Sequence, residues 1–337
     1  MKDYIKKVID GRSLSQDEAS SAMEIIMQGE ATPAQIAGLL VALKLKGEKA
    51  EEVAGFAQTM RKHSLKIKVK DKNAVDGCGT GGDGKQSFNI STAAAIVASA
   101  AGVTVAKHGN RSVSSSCGSA DILEACGGKI DPGPELVEKN INDIGFGFMF
   151  APRFHPAMKY AAAPRKELGV RTVFNILGPL TNPAGVKRQV IGVYDKKLLP
   201  LVADVMQILG SEHILVVHSR DGLDEFSVGA PTDYVELIND EKNSLSITPL
   251  EVGLKTHPTE SLKGADADSN VKILHGIFEG DQNSCREAVL FNAGALIYVS
   301  GKVQTIWDGV SMARDAIDWG AARKKLHDWV ELGKTVL

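Results

Sequence analysis

From Asn73 onward the chain alternates strand and helix, with a glycine-rich loop at the first crossing, and that rhythm restricts it to a parallel-sheet architecture. AVDGC reads as a strand, STAAAIVASAAG as a helix ended by Gly102, VTVAKHG as a second strand and GSADILEACG as a second helix ended by Gly127 and Gly128. Such a repeat implies parallel strands with right-handed crossovers, and ligands of these sheets sit in loops at the carboxyl ends of the strands. The rhythm resumes with RQVIGVYD as strand, LLPLVADVMQILG as helix and HILVVH as strand. The polar stretches NDEKNS and DADSN read as loop tips. From Cys285 onward the pattern is helical again.

The first 65 residues read as helices only. Ser15 to Glu18 and Thr32 to Gln35 match the capping-box pattern, and Pro33 falls at a first helical position, where its missing N–H costs nothing. Gly29 and Gly47 supply stops. AQIAGLLVALKLK is apolar around most of its circumference, as befits a helix buried on several sides or packed against another subunit. A second helical stretch, HPAMKYAAAPRKELGVRTVFNILGPL, interrupts the α/β region. The expected fold is therefore α/β: a small all-helical domain (1–66, with a contribution from about 153–184) and a larger domain (67–152 and 185–337). The larger domain carries a central, mostly parallel sheet flanked by helices.

Charge excludes some functions. Lysine and arginine total 39 against 41 acids, a net charge of −2, which argues against a dedicated binder of nucleic acid or anionic membrane. Cys78, Cys117, Cys126 and Cys285 form no CxxC pair, so reduced thiols in a cytoplasmic protein are the simplest expectation. The amino terminus MKDYIKKVIDGRS mixes charges as an amphipathic helix does and a secretory signal does not.

AVDGCGTGGDGKQSFNIST, residues 74 to 92, holds five glycines. A loop between a strand and a helix can point successive N–H groups at one anion, and the helix amino terminus adds roughly half a positive charge. Glycine is suited to that task because a Cβ would hold a phosphate off the backbone. Asn89, Ser91 and Thr92 add donors that either cap the helix or hold phosphate. The spacing is neither the Walker pattern nor GxGxxG with a distant acid, so neither ATP nor NAD is indicated. A lone glycine cluster reads equally well as a surface loop. The neighbouring strand weakens that alternative, because KHGNRSVSS brings Lys107, Arg111, a glycine and several hydroxyls to the same rim. Two anion-shaped loops side by side suggest a ligand with more than one phosphate.

GTGGD at 79 to 83, NIST at 89 to 92, KHGNRSVSS at 107 to 115 and GSAD at 118 to 121 together resemble the anthranilate phosphoribosyltransferases. So do HPAMKYAAAPRKELGVRTVFNILGPLTNPA and DGLDEFS at 221 to 227. The resemblance implies transfer from phosphoribosyl pyrophosphate (PRPP) to anthranilate in tryptophan biosynthesis, with Mg2+ as cofactor and a homodimer joined through the helical domain. It implies that PRPP is held by Gly79, Gly82, Asp83, Ser87, Asn89, Ile90, Ser91 and Thr92. The second loop would add Lys107, His108, Gly109, Asn110, Arg111, Ser112, Val113, Ser114 and Ser115, with Ser119 completing the cradle. Gly79, Asn110 and Arg165 would contact anthranilate, and Ser91, Asp224 and Glu225 would handle the metal. Cys117, Lys85 and Gln86 depart from the family pattern, which bears on fine substrate contacts.

The residues fit that chemistry in their own right. Magnesium is normally held by one or two carboxylates plus substrate phosphates, which suits Asp224 and Glu225, although an isolated acidic pair is usually a solvated turn. Arg165 follows Pro164 in a helical pattern, and a guanidinium pairs with a carboxylate through two parallel bonds; an exposed arginine is the alternative. Arg171 reads as structural. His108 either orients anthranilate and accepts a late proton or bonds the backbone, and His155 reads as a helix-start residue bordering the pocket. No covalent protein intermediate is expected. Two rival functions are a pyrimidine nucleoside phosphorylase and a non-catalytic, nucleic-acid-binding relative of the same fold.

Overall fold

Helix starts written into the sequence set the amino-terminal bundle of α1 (Lys2–Ile9), α2 (Gln16–Met27), α3 (Pro33–Lys46) and α4 (Ala50–His63) in a computed structural model that describes residues 1–112 and 116–334. Both expected capping boxes close. The Glu18 N–H donates to Ser15 Oγ at 3.2 Å and the Ser15 N–H to Glu18 Oε2 at 2.7 Å, while Thr32 and Gln35 repeat the exchange at 3.0 and 3.3 Å. Such a cap contributes about 1 kcal/mol. Glu52 is fully buried, accepting from the Leu14 N–H and from Lys46 Nζ at 2.9 Å each, so one carboxylate ties together α3, α4 and the chain leading into α2. On α3, Ile36, Leu39, Leu40 and Leu43 are buried, but Val41 and Leu45 face outward, Leu45 with 83% of its surface free.

Beyond the bundle the chain builds one seven-stranded sheet. Its elements are β1 (Val75–Gly79), α5 (Ile90–Ala100), β2 (Val105–Gly109), α6 (Ser119–Ala125), α7 (Pro134–Ile144) and β3 (Phe146–Phe150). Three helices follow, α8 (Ala151–Phe154), α9 (Lys159–Leu168) and α10 (Phe174–Leu180), then β4 (Arg188–Gly192), α11 (Leu198–Ile208), β5 (His213–Ser219), β6 (Thr232–Ile238) and β7 (Glu241–Ile247). Four helices close the described chain: α12 (Ala267–Glu279), α13 (Ser284–Val299), α14 (Ile306–Asp318) and α15 (Ala321–Lys334). Strand order is β3-β2-β1-β4-β5-β6-β7, parallel through β5 and antiparallel at β6 and β7.

The order reverses between β1 and β4. This is the topological switch point at which open α/β sheets leave a crevice for ligands. One sheet face packs against α5, α13, α14 and α15 around Val97, Val105, Phe291 and Leu296. The other carries Ile191, Ile214 and Val216 into a core continuous with α11 and the amino-terminal bundle, so the two parts of the chain share apolar packing.

Four segments differ from the sequence expectation, the first being DADSN, which is no loop tip but the start of α12: Asp266 caps the helix and accepts the Ser269 N–H, and residues 267 to 270 form its first turn. FGFMF forms β3, a strand without polar alternation because it is buried on both faces. NDEKNS is a tight hairpin turn only at Asn239 and Asp240, both with positive φ (52° and 64°), after which Glu241 begins the exposed edge strand β7. The helical stretch after His155 is two helices, α9 and α10, separated by a break at residues 169 to 173.

Candidate active site

The glycine loop leaves β1 at the switch point and is pinned at both ends. The Thr80 N–H donates to the Gly192 carbonyl at 2.8 Å, and Thr80 Oγ1 accepts from the Tyr194 N–H at 3.1 Å. At the far end the Phe88 N–H bonds the Leu262 carbonyl and the Gly264 N–H bonds the Gln86 carbonyl, each at 2.9 Å. Ser87 bridges to Lys263. Gly81 and Gly82 adopt φ of +64° and +78°, which only glycine reaches without strain. Between these anchors Gly81, Gly84, Lys85 and Gln86 are exposed, so the loop is fastened at its ends and open to the surface at its tip.

Asp224 enters the same crevice from the turn after β5. Its Oδ2 accepts the Gly81 N–H at 2.9 Å. A Cβ on Gly79 would lie 2.4 Å from that oxygen, and one on Gly192 would lie 1.7 Å from the Asp224 carbonyl oxygen. Glycine ends both strands because the acid occupies the space a side chain would need. Glu225 follows, receiving a bond from the Ser91 backbone, and the next residue is locked by Asn292 on α13, which accepts the Phe226 N–H at 3.0 Å and donates to its carbonyl at 2.8 Å. A cavity of about 10 Å³ lies among Gly79, Ser91, Gly192, Glu225 and Asn292, roughly room for one water.

Burial, reinforced by Asp83 beside Asp224 and by Asp224 beside Glu225, pushes both carboxyls well above the ordinary range. Asp83 Oδ2 is itself buried without a hydrogen-bond partner. Crowded hard oxygen donors, of which Asp224 and Glu225 each accept a backbone N–H and Asp83 Oδ2 has no partner, are of the kind that suits a magnesium ion. Among the described residues no three His, Cys, Asp or Glu side chains group as a metal cage.

Lys107 is almost wholly buried, its Nζ donating to the Gly77 carbonyl at 2.7 Å while its charge acts on Asp76 and Glu225. Asp76 is fully buried, accepts the His108 N–H at 3.1 Å and the Asn182 side chain at 2.8 Å, and is pushed by burial up to about 6. His108 and His155 lie side by side with ring centroids 5.1 Å apart and planes tilted by 57°. Burial depresses them to about 3 and about 4, so both are neutral imidazoles, each with a buried Nε2 lacking a partner. Cys78 is no nucleophile; burial pushes its thiol up to about 12. All four cysteines are free thiols.

Several expected phosphate donors are already engaged by the protein. The Asn89 amide donates to the Cys117 carbonyl and accepts from Asn270, both at 3.0 Å, so this side chain braces the two loops. Ile90 and Thr92 are buried in the first turn of α5. Arg111 pairs with Asp121 at 2.9 Å and with Glu124 at 2.8 Å, which directs its charge toward α6. Asn110 Oδ1 accepts the Arg111 N–H at 2.7 Å, and the Asn110 carbonyl accepts Ser119 Oγ at 3.2 Å. Gly109 ends β2 against Ser119, and the Ser112 N–H bonds Asp121 at 3.0 Å. Val113, Ser114 and Ser115 lie outside the described residues.

Arg165 stands on α9 with its guanidinium 5.1 Å from the Phe174 ring centroid, and makes no ion pair with any described carboxylate. Arg171, in the break after α9, does touch the glycine loop, donating to the Gly82 carbonyl and lying over Tyr194. Sequence reasoning missed Asp76, Asn182, Gly192 and Asn292. An aspartate inside an apolar strand and a glycine ending RQVIG were the available signals for two of these; nothing local marks Asn182 or Asn292.

A helical bundle sharing its core with a parallel sheet, and a switch point that joins a glycine loop to a partly buried acid pair, define a glycosyl-transferring enzyme of two domains. Residues 71–323 match the glycosyl transferase family a/b domain and residues 2–64 its helical bundle domain. The chain is 48% identical over 331 residues to the anthranilate phosphoribosyltransferase of Teredinibacter turnerae, covering 97% of both. Its fold is similar to the crystal structure of the Thermus thermophilus enzyme of that name (TM-score 0.95, 44% identity, 99% of this chain and 100% of that one). It is also similar to the Saccharomyces cerevisiae enzyme solved in complex with PRPP and Mg (TM-score 0.91, 29% identity, 99% and 98% covered). The chain belongs to the anthranilate phosphoribosyltransferase family.

Proposed function

We infer that this chain transfers the phosphoribosyl group of PRPP to the amine of anthranilate, giving N-(5-phosphoribosyl)anthranilate and pyrophosphate. The observation that carries this reading is Asp224 set between Gly79 and Gly192, bonded to the loop whose amides face the same crevice. The loop amides of residues 79 to 92 and the start of α5 receive the diphosphate, with the second loop from Lys107 onward alongside. Ser91, Asp224 and Glu225 would hold magnesium, which when bound neutralises charge on the diphosphate.

Arg165, free of protein carboxylates and only partly exposed, pairs with the anthranilate carboxylate. His108, neutral and with Nε2 unpartnered, accepts a hydrogen bond from the amine; Asn110 and Gly79 border the same ligand. Catalysis then rests on placement and on fixed dipoles, with the amine attacking the ribose carbon opposite the departing diphosphate. No protein nucleophile is used.

The same reading divides the chain near residue 66, with about 153–184 rejoining the helical part. The uncovered Val41 and Leu45 on α3 and Ile9 on α1 support a homodimer through that part. No helix among the described residues is long and apolar enough to cross a membrane.

The test is loss of anthranilate fluorescence on mixing protein, PRPP and magnesium, omitting each in turn. Loss only with all three present supports the transfer. Phosphorolysis of thymidine or uridine without that loss would replace it with the nucleoside phosphorylase reading.

A further inference from the structure

The contact that bridges the two parts of the chain at the phosphate loop is made by Arg171, which lies in the turn between α9 and α10. The turn opens at Gly169 in the left-handed region (φ +60°). The Arg171 guanidinium lies over the Tyr194 ring, 4.3 Å from its centroid, and Nη2 donates to the Gly82 carbonyl. Tyr194 is not an independent platform, because its N–H bonds Thr80 Oγ1, and Thr80 is bonded in turn to Gly192.

Gly81 and Gly82 are therefore held from two sides. Asp224 takes the N–H of Gly81, and Arg171 takes the carbonyl of Gly82. Two successive glycines at positive φ have many alternative conformations and need outside contacts to fix one. A planar guanidinium stacked on an aromatic ring loses little further freedom when it makes such a bond.

We propose that Arg171 is a positioning residue for the sugar diphosphate, holding the glycine loop from the helical side in the conformation whose amides receive it. The proposal rests on the function inferred above. It links the α9 segment that carries Arg165 to the phosphate site six residues later, so that the two substrates meet a loop already set.

Steady-state kinetics with both substrates, together with hydrogen exchange of residues 79 to 87, test it in Arg171→Ala, Arg171→Lys and Tyr194→Leu. Arg171→Ala is expected to raise the KM for PRPP about tenfold, the worth of one hydrogen bond from a charged donor, while the anthranilate KM stays within about twofold and loop exchange speeds up. Arg171→Lys recovers part of the loss, since an ammonium reaches the carbonyl but does not lie flat on the ring. Tyr194→Leu raises the same KM by a smaller factor. Should Arg171→Ala not fold, the other two variants carry the test.

An unchanged PRPP KM overturns the proposal, as does an equal rise in both KM values. A PRPP effect of Arg171→Ala with Tyr194→Leu and loop exchange both unaltered also overturns it, because the guanidinium would then be touching substrate and not setting the loop. Wild-type protein inactive with PRPP and anthranilate would instead strike the function itself.

Discussion

Asp224 fills the space that a side chain on Gly192 would occupy: a Cβ there would sit 1.7 Å from the Asp224 carbonyl oxygen. Backbone atoms cannot swing aside as a flexible side chain can, so the acid turn and the end of β4 fit together only when residue 192 is glycine. Gly192→Ala is expected to displace Asp224, costing about 1–3 kcal/mol of stability by overpacking and most of the transferase activity. Thermal unfolding and kcat/KM check this; wild-type values for both would mean that the acid turn is free to move.

The acid pair should make the metal visible without turnover. Asp224 and Glu225 crowd each other in a partly buried site, so a divalent cation bound there stabilises the folded chain by about 2.7 kcal/mol at a hundredfold excess over its Kd. Magnesium with pyrophosphate is expected to raise the unfolding temperature of the wild type. Asp224→Asn with Glu225→Gln should abolish that shift while leaving the metal-free protein at least as stable, because two crowded carboxyls whose ionisation the site disfavours have been made neutral. A retained shift would place the metal elsewhere.

Acid should weaken the fold through the histidine pair. His108 and His155 are held to about 3 and about 4 by burial, against about 6.5 in the unfolded chain. The unfolded state thus takes up protons that the fold refuses, so the stability these rings contribute is complete above about pH 6.5 and is lost progressively as pH falls toward 3. Unfolding midpoints measured from pH 7.5 to 4.5 should decline, and more shallowly in His108→Gln with His155→Gln. Parallel slopes would show that the rings titrate normally.

Arg165→Ala should act on one substrate. Loss of a two-bond guanidinium to carboxylate contact is expected to raise the anthranilate KM by about 10- to 100-fold, with the PRPP KM little changed. Initial rates with each substrate varied in turn decide it; equal effects on both would make Arg165 a structural support for α9.

Periodicity made the helical start, the parallel strands and the loops at their tips legible, because each depends on residues close in sequence: Ser15 with Glu18, Pro33 at a helix start, glycines after β1. What stayed hidden depends on partners far along the chain. β3 lacks alternation because both of its faces are covered, and β7 is polar because it is an exposed edge. Asn89 looks like a phosphate donor until Asn270, on α12, and Cys117 are found bonded to it. Arg111 looks like a free cation until α6 presents Asp121 and Glu124. Arg171 reads as structural from its neighbours alone; its contact with Gly82 spans 89 residues.

The most direct test of the switch-point site is a crystal structure of this chain with PRPP and magnesium. The expected result is a diphosphate on the amides of residues 79 to 92, with a metal about 2.1 Å from an oxygen of Asp224 or Glu225. A sugar diphosphate bound away from the β1 and β4 tips, with both carboxylates free of metal, would contradict it.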